Sequence, residues 1–92
     1  NATIRQNNIT ANAWGIVLSH SNSSIQGNII TANNEGGIHI EDYSNGTTQG
    51  NMIEKNRIGI EIRGNSNPTI QGNNISQNDA DGVVCWYSNP II

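Results

Sequence analysis

Two pairs of residues stand where side chains could move protons. "GIHIE" sets His39 and Glu41 two positions apart, and "GIEIR" does the same for Glu61 and Arg63. A histidine, two carboxylates and a guanidinium could supply a general acid, a general base and a holder for an anion, the parts that lyase or hydrolase chemistry needs. The plainer reading is ion pairing across strands, Glu41 with Arg63 and His39 with Glu61, on a solvated face. Either reading requires that two strings distant in sequence lie side by side.

Other candidates are sparser. Trp14, Tyr43, Trp86 and Tyr87 flank the same strings, and aromatic faces beside amides and carboxylates could form a sugar-binding strip. Their alternative role is to cover the apolar end of a stack or to pack on a neighbouring chain. Asp79 and Asp81 in "NDADG" could offer oxygens to calcium, though two aspartates in a loop more often make only a polar turn. Otherwise no cofactor is expected. Cys85 stands alone, so there is neither a disulfide framework nor a zinc motif.

The elements that would position these residues come from a repeat. "IRQNNITAN" at 4–12 returns as "IQGNIITAN" at 25–33, "TQGNMIEKN" at 48–56 and "IQGNNISQN" at 70–78. After each comes a short polar link and a second string: "GIVLS", "GIHIE", "GIEIR" and "GVVCW". Asn1, Asn22, Asn45, Asn67 and Asn89 share one phase, with steps of 21, 23, 22 and 22 residues. Units that recur at this period cannot each bury a core and must stack.

Within a unit the period is two. In "GIEIR", Ile60 and Ile62 alternate with Gly59, Glu61 and Arg63, the pattern of a strand with one buried face. "TIQG" and "NIS" add one inward isoleucine each, Ile70 and Ile75, so a unit carries three short strands. Stacked at the ~4.8 Å strand spacing, the inward residues become four columns. These are Ile16/Ile38/Ile60/Val83, Leu18/Ile40/Ile62/Cys85, Ile4/Ile25/Thr48/Ile70/Ile92 and Ile9/Ile30/Ile53/Ile75. Cys85 is thereby expected to be a buried apolar filler. The outward columns, Val17/His39/Glu61/Val84 and Ser19/Glu41/Arg63/Trp86, bring the four candidate groups into one square.

Asparagines form columns of their own. Asn7, Asn28, Asn51 and Asn73 sit between the second and third strands, three of them after a glycine, where asparagine's tolerance of left-handed backbone suits a short corner. Stacked amides can also bond from one coil to the next, an asparagine ladder. Asn12, Asn33, Asn56 and Asn78 make a second column.

The order "GIxI", "SNPxI", "GNxI", "N" resembles the right-handed parallel β-helix of the pectate-lyase-like superfamily, and more closely its NosD-like and carbohydrate-binding or sugar-hydrolase repeats. The resemblance spans the chain and implies one all-β domain, 1–92. Its coils would be 1–21, 22–44, 45–66 and 67–88, with 89–92 starting a fifth. It implies that "GIxI" is the strand whose outer face carries the groove in the family's enzymes. The chain departs from those enzymes, lacking the Asp-Pro-His signature of mannuronan epimerases, the aspartates of polygalacturonases and the arginine-centred calcium site of pectate lyases. The links "NAWG", "NNEGG", "NRIG" and "NDADG" are too short to wall a groove. The NosD likeness would suggest copper, yet no His/Met cluster supports it.

Composition narrows the rest. Charged residues are 12% and aromatics 4%, with net charge −3, and the four basic residues (Arg5, Lys55, Arg57, Arg63) make no patch for nucleic acid. No apolar run approaches the ~18 residues of a membrane span. Five Asn-X-Ser/Thr sequons occur, and Asn8 and Asn74, expected to point outward, are the best placed for glycosylation. The chain begins without methionine or signal peptide and reads as a processed or excised piece. Together these features predict a structural or interaction solenoid of an extracellular or cell-surface protein. It would associate end to end with copies of itself, as in a filament, or with flanking β-helix coils, with weak polysaccharide binding on the first-strand face. The alternative is a fragment of a polysaccharide lyase, epimerase or glycoside hydrolase.

Overall fold

Alternating β-branched residues, interrupted every few positions by glycine, asparagine or serine, can form only short strands with tight corners. The computed structural model, which describes residues 1–92, contains twelve strands and no helix. In chain order the first coil holds β1 (Thr3–Arg5), β2 (Asn8–Thr10) and β3 (Trp14–Ser19). The second holds β4 (Ser24–Gln26), β5 (Ile29–Thr31) and β6 (Gly36–Glu41). The third holds β7 (Thr47–Gln49), β8 (Met52–Glu54) and β9 (Ile58–Ile62), and the fourth β10 (Thr69–Gln71), β11 (Asn74–Ser76) and β12 (Asp81–Cys85). Every third strand pairs in parallel, giving three sheets: A, β1-β4-β7-β10; B, β2-β5-β8-β11; C, β3-β6-β9-β12.

The registers reproduce the isoleucine columns. Ile16 pairs with Ile38, Ile38 with Ile60 and Ile60 with Val83 in sheet C. Ile30 pairs with Ile53 in sheet B, and Ile25 with Thr48 in sheet A. Ile91 bridges Thr69, so residues 91 and 92 lie over sheet A in the phase of a fifth rung. The ten buried apolar residues form one cluster, from Ile16 to Ile70. Ile25, Ile30, Ile38, Ile53, Ile60 and Ile62 are completely sealed, whereas Ile4, Ile9, Ile75 and Val83 in the outer coils are half-buried. The core is therefore a stack of files open at both ends.

Cys85 departs from expectation. It pairs with Ile62 and shares its phase, yet it is exposed, because β12 is an edge strand with no coil laid over it. Phase sets the direction of a side chain, and cover depends on the next coil. Its thiol donates to the Ser88 carbonyl at 3.2 Å.

The asparagine columns are hydrogen-bonded ladders. The N–H of Asn7 donates to Asn28 Oδ1, that of Asn28 to Asn51 Oδ1 and that of Asn51 to Asn73 Oδ1, each at 2.9 Å. The column Asn12, Asn33, Asn56 and Asn78 repeats this at 3.0 Å. In both, Nδ2 also reaches back to a strand carbonyl, as from Asn51 to Ile25 at 3.1 Å and from Asn56 to Ile30 at 3.0 Å. A third ladder runs the other way: Asn22, Asn45, Asn67 and Asn89 each give their N–H to the side-chain oxygen of the asparagine one coil earlier. Ser44, Ser66 and Ser88 form a fourth, each hydroxyl accepting from the backbone N–H one coil earlier. No buried side-chain nitrogen or oxygen lacks a partner, which a core this rich in amides requires.

The corner chemistry also differs from expectation. At two of the three corners the left-handed positions belong to the residues just before the ladder asparagines. At the first corner these are Gln6, Gly27, Gly50 and Gly72, and at the second Ala11, Ala32, Lys55 and Gln77. The asparagine must face inward to reach the neighbouring coil, so the residue before it absorbs the turn.

Candidate functional site

Sheet C positions the four groups singled out above. Val17 pairs with His39, His39 with Glu61 and Ser19 with Glu41, so the outward columns stand as expected. Around the square, His39 Nδ1 lies 3.1 Å from Glu61 Oε1 and His39 Nε2 lies 2.8 Å from Glu41 Oε1. Arg63 Nη2 donates to Glu61 Oε2 at 3.2 Å. The expected Glu41–Arg63 pair is absent. Residues two apart on one strand face are ~6.5–7 Å apart, within reach of long side chains. Glu41 is drawn along its own strand to His39, and Arg63 along its own to Glu61. Glu61 is thus the centre of the arrangement, touching both a coil-2 and a coil-3 partner.

Nor is the square wholly solvated. The side chains of His39 and Glu61 keep only 14% and 12% of their exposure, and the Trp14 ring packs at right angles to the imidazole with centroids 4.9 Å apart. The indole has room only because the residue beneath it is Gly36, where a Cβ would collide with the ring. Trp14 is therefore half-buried packing, not part of an exposed strip. The sequence signal for this packing is the pair of adjacent glycines, Gly36 and Gly37, in "GGIHI".

The other three aromatics lie beyond the opposite ends of these strands and are exposed: Tyr43 at 62%, Trp86 at 52% and Tyr87 at 87%. His20 stacks on Tyr43, and Arg63, Gly64, Trp86 and Tyr87 line a hollow of about 390 Å³. Asp79 and Asp81 are both exposed, and no group of three or more His, Cys, Asp or Glu residues converges as a metal site.

Strands stacked in parallel through side-chain ladders, at one turn per 21–23 residues, find their counterpart in one family. The pattern described as "Right handed beta helix region" matches residues 1–92. The chain belongs to that family. The coil is accordingly right-handed, the hand expected of parallel crossovers. Comparison with curated proteins and with solved structures gives no match.

Seen as a β-helix, the square has limited chemical capacity. A neutral imidazole has one N–H, yet both ring nitrogens of His39 already face carboxylate oxygens, so neither is free to meet a substrate. The β-helix has no helix long and apolar enough to cross a membrane. Its sheet A presents a second outer surface, on which the glutamines of "SIQ", "TTQ" and "TIQ" share one outward phase. Gln26, Gln49 and Gln71 bond edge to edge there.

Proposed function

We propose that this β-helix is a structural and interaction solenoid of a secreted or cell-surface protein, and that it works by pairing its ends with further coils of its own chain or of another copy. The observation that carries this reading is the state of the end coils. Residues in core phase there, Ile4 and Ile9 at one end and Ile75, Val83 and Cys85 at the other, stay half-buried or exposed while their central counterparts are sealed. The next N–H groups of two ladders, those of Asn73 and Asn78, face the same open end. The fold is about as tall as it is wide, 26 × 25 × 22 Å, so these faces are a large share of its surface. Apolar cross-sections and unpaired rungs favour stacking of a further coil. Exposed Asn8 and Asn74, each in a sequon, support an extracellular setting.

Sedimentation velocity tests end pairing. The 92-residue chain is expected to associate as its concentration rises, and Val83→Asp, on the open face of β12, is expected to return it to monomer. A chain that is monomeric throughout the range, or whose association Val83→Asp leaves unchanged, would overturn the reading.

The exposed hollow of Trp86, Tyr87 and Arg63 supports weak carbohydrate binding on the first-strand face as a second role. The lyase, epimerase or hydrolase reading has less support, since His39 is engaged at both nitrogens and no loop walls the sheet. Wild type and Glu61→Gln are expected to be equally inactive on uronate and neutral polysaccharides.

A further inference from the structure

Sheet A carries a groove that none of the preceding roles uses. It follows the corner between sheets A and B for the whole height of the stack, holds about 650 Å³, and has no hydrophobic residue in its lining. Its floor is the glycine column Gly27, Gly50 and Gly72, all left-handed, and a Cβ at Gly72 would meet nothing within 4 Å. Its wall is the row of outward side chains Arg5, Gln26, Gln49 and Gln71, one per coil.

The amides of that row are already aligned. Gln49 Nε2 donates to Gln26 Oε1 at 3.3 Å, and Gln71 Nε2 donates to Gln49 Oε1 at 2.8 Å. Gln49 spends one N–H and one lone pair on its neighbours, Gln26 only a lone pair and Gln71 only an N–H. An amide has two of each, so each of the three glutamines still offers at least one donor and one acceptor beside the groove.

We infer that this groove binds a linear polysaccharide lying along the β-helix axis, with its hydroxyls bridging successive glutamine rungs. A hydroxyl both donates and accepts, and so matches a row in which donors and acceptors alternate. Phosphate only accepts and an ammonium only donates, so either would satisfy half of the row. A peptide backbone presents like groups on one side about every 7 Å, out of step with rungs at ~4.8 Å. A pyranose unit is about one coil long. Single-stranded nucleic acid needs stacking rings and several cations, and the groove has no aromatic residue and one arginine. Arg5, at the first-coil end, has no carboxylate partner and adds a preference for chains that carry carboxylates.

This site is separate from the hollow beside Trp86 and independent of end pairing, and the test separates it from that hollow. The chain is titrated with a neutral β-glucan oligosaccharide and with an oligogalacturonate, and the glutamine side-chain amide signals are followed by NMR. Shifts at Gln26, Gln49 and Gln71 are expected, with affinity reduced about tenfold or more in Gln49→Val and in Gln71→Ala. Both positions face outward, and unchanged circular dichroism melts verify that the fold persists. Arg5→Gln is expected to weaken only the oligogalacturonate, and Trp86→Ala to change neither. No binding of either sugar at millimolar concentration would overturn the inference. So would shifts confined to Tyr43, Trp86 and Tyr87, or binding abolished by Arg5→Gln but unaffected by Gln49→Val.

Discussion

The backbone N–H of Asn28 donates to Asn51 Oδ1 at 2.9 Å, and both asparagines are all but sealed from water. Asn51 in turn gives its Nδ2 to Asn73 Oδ1 and to the Ile25 carbonyl, so one side chain fastens three coils. Asn51→Ala would strand a buried donor and a buried acceptor, each costing ~1–3 kcal/mol. A loss of about 2–4 kcal/mol in urea unfolding is expected. Asn7→Ala, at an exposed end rung, is expected to cost less than ~1 kcal/mol. Equal losses at the two positions would refute the ladder's role.

The glycine that opens each "GI" string has a packing reason. A Cβ on Gly37 would meet the Gly59 carbonyl at 2.7 Å, Ile53 Cγ2 at 3.0 Å and Asn56 Nδ2 at 3.2 Å. Backbone and ladder cannot both retreat, so Gly37→Ala is expected to lower stability by ~1–3 kcal/mol. Gly82 occupies the same column in the edge coil, where the only neighbour of a Cβ is Ile75 Cγ2 at 3.5 Å. Gly82→Ala is expected to leave the melting temperature nearly unchanged.

Left-handed corners predict a gain as well as a loss. Ala32 and Lys55 hold φ of 57° and 60° and are exposed. Replacing either with glycine removes a Cβ clash worth ~1–2 kcal/mol while adding ~0.5–1 kcal/mol of chain entropy. A net rise in stability of up to ~1 kcal/mol is expected from thermal melts. Gly50→Ala, at φ 66°, should show the reverse sign.

The charged square can be tested by its missing side. A double-mutant cycle between His39→Ala and Glu61→Ala is expected to return a coupling of ~0.5 kcal/mol or more. The cycle between Glu41→Ala and Arg63→Ala, whose side chains do not meet, should return a value near zero. A larger coupling for the second pair would contradict the arrangement.

What could be read without coordinates depended on periodicity. Ile38 and Ile60 were legible because inward isoleucines recur in one phase, and the ladders because Asn28, Asn51 and Asn73 recur in another. The fate of Cys85 was not legible, since its phase matches that of Ile62 while its cover depends on a neighbouring coil. Arg63's choice of Glu61 was also hidden, because a column fixes which Cβ atoms are adjacent and leaves the rotamers open. The corner residues Ala32 and Lys55 carry no left-handed signature, and only the inward demand on Asn33 and Asn56 explains them. The glutamine row carries no apolar periodicity, because it repeats on a face that the core does not use.

Each ladder bond joins a residue to its equivalent one coil away, by the same atoms at nearly the same length. The bonding scheme therefore contains no count of its rungs. Removing residues 45–66 would bring Asn67 beneath Asn22, Asn73 beneath Asn28 and Ser66's successor Ser88 beneath Ser44, with every register preserved. Length in such a molecule is a quantity that duplication or deletion of whole coils can change without redesigning the ladder bonds. The outer rows, the glutamines among them, would lengthen or shorten in proportion.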